Sequence, residues 1–421
     1  MSALPPSLLP ETARVGDDGR LSVGGVDLVD LADELGTPLF VYDEADLRAR
    51  CREAVAAFGD GVAYASKAFL CLAMARLAHE EGMHLDVATG GELHVALTAG
   101  VPATDLVLHG NNKSLEELRQ ARAAGVRVVV DSFDELDRLE RLHSGDGVTT
   151  RVMVRVTPGV EAHTHEYVAT GQVDSKFGFG LASGDAAEAA ARVAKAPGME
   201  LVGVHAHIGS QIFLLRSFEK AIEAMAEFVG AAGVPELCIG GGLGVAYVTG
   251  EEAPSISEWA DALRDASRQA GITARVTVEP GRSIVARAGV TLYRVGTIKL
   301  IPGIRTYVAV DGGMSDNPRP VLYGSGYEAF LPRTTAAERP VVATVVGKHC
   351  ESGDILVRDA RLPDDLTVGD ILATPVTGAY GHSMASNYNK LGRPAVVFVA
   401  DGAARVVVRR ETLEDLVRLD Q

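Results

Sequence analysis

From Val62 to Glu279, short β-branched runs alternate with longer stretches whose apolar residues recur at helical spacing. The runs "VAYAS" at 62–66, "HLDV" at 84–87, "DLVLH" at 105–109 and "VRVVVD" at 126–131 predict four strands. "RVMVRVT" at 151–157, "LVGVHAH" at 201–207, "ELCIGG" at 236–241 and "ARVTVE" at 274–279 predict four more. Segments such as "SLEELRQARAAG" and "SFDELDRLERLHSG", each opened by serine and closed by glycine, predict helices between them. Eight strands separated by helices is the count of a (β/α)8, TIM-like barrel. A doubly wound open sheet alternates in the same way, but the count and the residues at the strand ends favour the barrel.

After about residue 290 the helical spacing disappears. "TLYRVGTIKLI", "TYVAVDGG", "VVATVVGKHC", "DILVRDA", "DILATPV" and "AVVFVADGAARVVVRRE" predict an all-β domain of hairpins. The start, "GRLSVGGVDLVDLADELGTPLFVYD", holds short strands around one helix and is expected to complete that domain. The division expected is 1–43 packing with the β-domain, 44–286 as the barrel, and 287–421 as the C-terminal β-domain.

The net charge of −16, from 56 acids against 40 bases, argues against non-specific nucleic-acid or anionic-membrane binding. No basic segment followed by an apolar stretch opens the chain and no later run approaches membrane-span length, so a cytoplasmic protein is expected. Cys51, Cys71 and Cys238 sit in helix- or strand-like runs and read as core; Cys350 sits in the polar loop "VVGKHCESGD".

The strand ends carry the chemistry. Strand one runs into Ser66-Lys67, strand two contains Asp86, strand three ends at His109, and strand six supplies His205 and His207. Strand seven opens into Gly240-Gly241-Gly242, and strand eight ends in Glu279-Pro280-Gly281-Arg282. Singly, these residues read as a solvated lysine, core histidines and a turn. Jointly they complement one another. The loops after strands seven and eight are the usual phosphate position of such barrels, and three glycines let backbone N–H groups approach an anion. His205 and His207 alternate along a strand and point to opposite faces, so they do not readily chelate one metal ion. A phosphate site, a strand-end lysine and an acid suggest pyridoxal phosphate. The lysine would hold the aldehyde as a Schiff base, through an amine partly relieved of its proton by a buried site, and the acid would keep the pyridine nitrogen protonated.

"YASKAF", "DVATGGEL", "HGNNKS", "KFGFG", "HAHIGSQ", "GGGLG", "EPGR", "GKHCESGD" and "GAYGHSMASNYN" together resemble the alanine-racemase-like, fold-type III pyridoxal-phosphate decarboxylases, and among them the diaminopimelate decarboxylases. The resemblance runs from about Val41 to Arg393 and implies a carboxy-lyase. It implies Lys67 as the Schiff-base lysine, His207 against the cofactor ring, and Ser210, Gly240, Gly241, Gly242 and the backbone of Glu279, Pro280, Gly281 and Arg282 around the phosphate. The Glu279 carboxylate would face the pyridine nitrogen, Tyr380 would complete the phosphate site, and Asp86 would lie near the cofactor.

For the substrate, the resemblance implies a carboxylate clamp of Arg282 and Arg319, with Tyr323 as hydroxyl donor and Tyr380 nearby. A planar guanidinium suits that task because it pairs bidentately with a carboxylate. Glu351 would take the remote ammonium. Cys350 would protonate the carbon that loses CO2, from a loop reaching into the partner of a homodimer with shared active sites. The implied reaction converts meso-2,6-diaminopimelate to L-lysine. Phe69 stands where many relatives have asparagine, and Ala246 where proline is common. The segment Glu161–Gly180 is the expected closing loop. The alternatives are a decarboxylase of ornithine, arginine or a carboxylated polyamine, a racemase, and a catalytically silent relative. Arg319 argues against the first, since those substrates lack a distal carboxylate.

Overall fold

The computed structural model describes residues 4–160 and 174–421. The chain forms two compact units, one of Cys51–Gly244 with Ala253–Ser283, the other of Met1–Arg50, Val245–Glu252 and Ile284–Gln421.

The first unit is the barrel. Its parallel strands are Ala63–Ala65, His84–Val87, Leu106–Leu108, Arg127–Val130, Thr150–Thr157, Met199–Ala206, Glu236–Cys238 and Arg275–Thr277, each paired with the next in chain order. The short strand Phe179–Gly180 pairs beside the fifth. Closure comes from beyond the last strand, where the amides of Ala63 and Ala65 donate to the carbonyls of Val278 and Pro280, both at 3.1 Å. Val107, Val129, Met153 and Cys238, from strands three, four, five and seven, pack into one buried cluster. Each of the eight predicted strands is present.

The intervening helices start where the sequence expects. Ser114 caps Leu115–Ala124 in a reciprocal capping box with Glu117, and Gly125 ends that helix in the left-handed conformation. Ser132 caps Phe133–Leu142, but this helix stops at the extended His143 and not at a glycine. Lys113, just before the first of these caps, is buried and donates from Nζ to Glu135 Oε1 (2.7 Å), Gly110 O (2.7 Å) and Val129 O (2.6 Å). All three ammonium protons are thus used to fix the loops after strands three and four.

In the second unit, one sheet runs in the order Ile355–Leu362, Val341–Val346, Arg305–Val310, Gly289–Ile301, Leu39–Asp43, Ala395–Ala400, Ala403–Val408, with Ile371–Pro375 also on Gly289–Ile301. The N-terminal strand Leu39–Asp43 is interior: it lies antiparallel to Gly289–Ile301 and parallel to Ala395–Ala400. All five of its residues are buried, as expected of a central strand. The domain is therefore not built of hairpins alone. Arg305–Val310 and Val341–Val346 are parallel, and their crossover carries the short helix Arg319–Tyr323.

Candidate active site

At the barrel rim, Lys67 stands on the single 3-10 turn Ser66–Ala68 that follows the first strand, and its side chain is exposed. Its charge nevertheless acts on the buried Asp86 and His207. Phe69 beside it is fully buried, with the Tyr64 hydroxyl donating to its carbonyl at 2.6 Å.

Inside the rim, four ionisable groups meet. Glu279 Oε2 lies 2.9 Å from His205 Nε2 and Oε1 lies 2.9 Å from His109 Nε2, which in turn is 3.7 Å from Asp86 Oδ1. The two imidazoles meet edge to face, 4.9 Å between centroids. All four are at most 8% exposed. Burial alone would raise the Glu279 carboxyl, but the two imidazoles outweigh it and hold it well below the usual carboxylate range. Burial pushes Asp86 up to about 6 despite His109. His109 is drawn down by burial but more strongly up by Asp86 and Glu279, whereas burial wins at His205 and keeps it low. The sequence singled out these positions but did not join them. His109 and His205 lie on strands three and six, and only barrel closure brings them to one carboxylate.

His207 follows directly on strand six. It is held well below the ordinary histidine range, first by burial and then by the charge of Lys67. Its Nδ1 accepts the Gly241 amide at 3.2 Å, so the neutral ring carries its proton on Nε2.

The glycine triplet does something other than the sequence suggests. The Gly240 amide donates to Cys238 Sγ and the Gly241 amide to His207, so two of the three N–H groups expected to face an anion turn inward. The glycines instead permit close backbone approach. A Cβ at Gly241 would stand 2.2 Å from the Glu279 carbonyl oxygen, and one at Gly242, where φ is +114°, would stand 2.2 Å from that of Gly209. Gly281 packs likewise on Ala65, and Pro280 carries the closing bond. Beside them Arg282 Nη2 donates to Ser210 Oγ at 2.9 Å, a polar pair between the loops after strands six and eight.

In the second unit, Arg319 is buried. Its Nη1 donates to the Tyr327 hydroxyl at 2.7 Å, and its guanidinium lies 4.4 Å above the Tyr247 ring. Tyr380, at φ +60°, is close enough to bias the same charge upward. Among the described residues, the groups that act on the Arg319 charge are these tyrosines and no carboxylate. The hydroxyl that meets the Arg319 guanidinium is thus that of Tyr327, while Tyr323 ends the short helix half-buried. Neither Tyr247 nor Tyr327 stood out in the sequence, although "RPVLYGSGY" carries both the arginine and its hydroxyl partner.

The loop "GKHCESGD" is pinned at both ends. Asp354 accepts the amides of Met314 (2.7 Å) and His349 (2.9 Å). The His349 ring spans Ser315 Oγ (2.8 Å) and Asn389 Oδ1 (3.0 Å) and stacks on Tyr388. Cys350 and Glu351, between these anchors, are exposed, while the other three cysteines are buried. Of the expected closing loop Glu161–Gly180, residues 161–173 lie outside the described residues.

Residues 44–286 match the family of pyridoxal-dependent decarboxylases over its pyridoxal-binding domain. The chain is 48% identical to a diaminopimelate decarboxylase of Mycobacterium tuberculosis, over 99% of this chain and 98% of that one. With one from Bacillus subtilis it is 47% identical over 97% of each. Among solved structures, a diaminopimelate decarboxylase from M. jannaschii in complex with L-lysine is similar with a TM-score of 0.91 at 33% identity, covering 98% of both chains. One from Helicobacter pylori complexed with L-lysine gives 0.83 at 33% identity, over 93% of this chain and 98% of that one.

Proposed function

The chain belongs to the diaminopimelate decarboxylase family of pyridoxal-dependent decarboxylases, and we propose that it releases one carboxylate of meso-2,6-diaminopimelate as CO2 to leave L-lysine. The observation that carries the substrate is Arg319. A buried guanidinium that meets two tyrosines and no described carboxylate calls for an anionic ligand, because an uncompensated buried charge is unfavourable. Ornithine and arginine offer no carboxylate remote from the reacting carbon; diaminopimelate does.

The donors present fit pyridoxal 5'-phosphate: an accessible amine at a barrel rim, a fixed buried anion, and a hydroxyl–guanidinium pair beside the closely packed glycine turn. Lys67, Asp86, His207, Ser210, Gly240–Gly242, Glu279–Arg282 and Tyr380 would hold it. When bound, the cofactor supplies an electron sink for the bond between Cα and the departing carboxylate. Glu279, kept anionic, is suited to hold a proton on the pyridine nitrogen. His207, kept neutral, offers a flat uncharged face. Arg319, with Arg282 and Tyr323, binds the distal carboxylate, and Glu351 takes the distal ammonium. Once CO2 has left with the Cα–carboxylate bond broken, Cys350 Sγ, or a water it positions, gives a proton to Cα and a new C–H bond forms.

The exposed, pinned Cys350-Glu351 turn suits presentation to a second copy, in a homodimer with shared sites. The protein acts in the cytoplasm. CO2 release from meso-diaminopimelate, ornithine and arginine, measured side by side on cofactor-loaded protein, tests the reading. A preference for diaminopimelate that collapses in Arg319→Ala is expected. A preference for ornithine or arginine would overturn the substrate.

A further inference from the structure

We propose that His109 and His205 are positioning residues for Glu279. One imidazole takes each carboxylate oxygen, fixing the plane of the carboxylate and its charge toward the pyridine nitrogen, while Asp86 lies near the same His109 nitrogen that meets Glu279. This rests on the reading of Glu279 given above but not on the identity of the substrate.

The two contacts are unlike. His205 meets Oε2 in a well-formed hydrogen bond at 2.9 Å, and its buried Nδ1 has no partner among the described residues. That arrangement suits a neutral ring with its proton on Nε2, since a proton on Nδ1 would have no acceptor. The His109 contact is equally short but does not meet the geometry of a hydrogen bond, and the same Nε2 lies 3.7 Å from Asp86 Oδ1. A cation shared by two acids satisfies that geometry. His205 therefore orients Glu279 as a neutral donor, and His109 stabilises its charge. The three side chains have the donor types of a metal site, yet two imidazoles can share one carboxylate without an ion between them.

The test compares binding of pyridoxal phosphate with that of its 1-deaza analogue, which has carbon in place of the ring nitrogen, to the full-length chain freed of cofactor. The ratio of the two affinities isolates the nitrogen contact. Glu279→Gln should lower it about tenfold, and His109→Leu and His205→Leu should approach that loss. A purely structural role would weaken both ligands equally and leave the ratio at the wild-type value, which overturns the proposal. If the leucine variants do not fold, the glutamine variants decide: His109→Gln, a donor without charge, should lower the ratio, whereas His205→Gln, one neutral donor for another, should keep it. An unchanged ratio in both, or in Glu279→Gln itself, also overturns it; the last outcome removes its premise. None of these readings depends on turnover of diaminopimelate.

Discussion

Arg319 donates from Nη1 to the Tyr327 hydroxyl at 2.7 Å, eight residues along the chain, across the turn that ends the short helix. The bond uses one of five guanidinium N–H groups and fixes the plane of the rest. Tyr327→Phe should leave that plane free and raise KM for meso-diaminopimelate about 3- to 10-fold with kcat nearly unchanged. Steady-state kinetics on the two enzymes would show it; an equal fall in kcat would contradict a role confined to binding.

The four thiols should differ sharply in reactivity. With Cys350 exposed and Cys51, Cys71 and Cys238 buried, a thiol reagent should label one cysteine per chain in the native protein and four after unfolding. Activity should fall in step with the first label. Cys350→Ser should abolish the fast phase and lower kcat, and a persistent fast phase in that variant would refute the assignment.

Lys113 and Glu135 form an ion pair shut off from solvent, at 2.7 Å. Lys113→Met would strand a carboxylate that burial already pushes up, and should destabilise the barrel by about 3–5 kcal/mol. The double change Lys113→Met, Glu135→Leu should recover most of that loss. Denaturant unfolding of the wild type, single and double variants is the check; no recovery would mean that the contacts to Gly110 and Val129 dominate.

Asp316 sets a pH dependence. Burial raises this carboxyl to about 7, although the Tyr293 hydroxyl (2.6 Å) and the Gly313 amide (2.8 Å) oppose the rise. The folded chain thus holds the proton more tightly than the unfolded one. The contribution to stability is fully present below about pH 4, is lost as pH climbs to about 7, and stays constant above that. Asp316→Asn should flatten this part of the melting-temperature profile between pH 4.5 and 7.5. A variant profile parallel to the wild type would exclude Asp316 as its source.

The barrel was legible because its strands are short apolar runs bounded by turn residues, a signal that survives without knowledge of partners. Only the ends drift: "ELCIGG" reads as strand through Gly241, but pairing stops at Cys238, where backbone bonds turn to Glu279 and His207. The polar centre was legible only as separate letters. His205 and Glu279 are 74 residues apart, and their meeting depends on the registers Val204 to Leu237 and Leu237 to Val276, which no local spacing encodes. Tyr327 was missed for a related reason: Tyr323 has the helical spacing from Arg319, but the helix ends at Gly324 and the chain turns back to bring the later tyrosine to the guanidinium.

The place of Leu39–Asp43 in the middle of its sheet bears on how the polypeptide matures. On a ribosome, "LFVYD" emerges early, yet its neighbours Gly289–Ile301 and Ala395–Ala400 follow only after the whole barrel has been translated. For that interval an apolar strand has both edges unpaired, the condition under which nascent chains aggregate or recruit chaperones. The barrel must form as an inserted body while the strand before it waits, and the β-domain closes last. A circular permutant starting at about Ile284, which brings the three strands into one uninterrupted translation product, should therefore gain soluble yield more than it gains equilibrium stability.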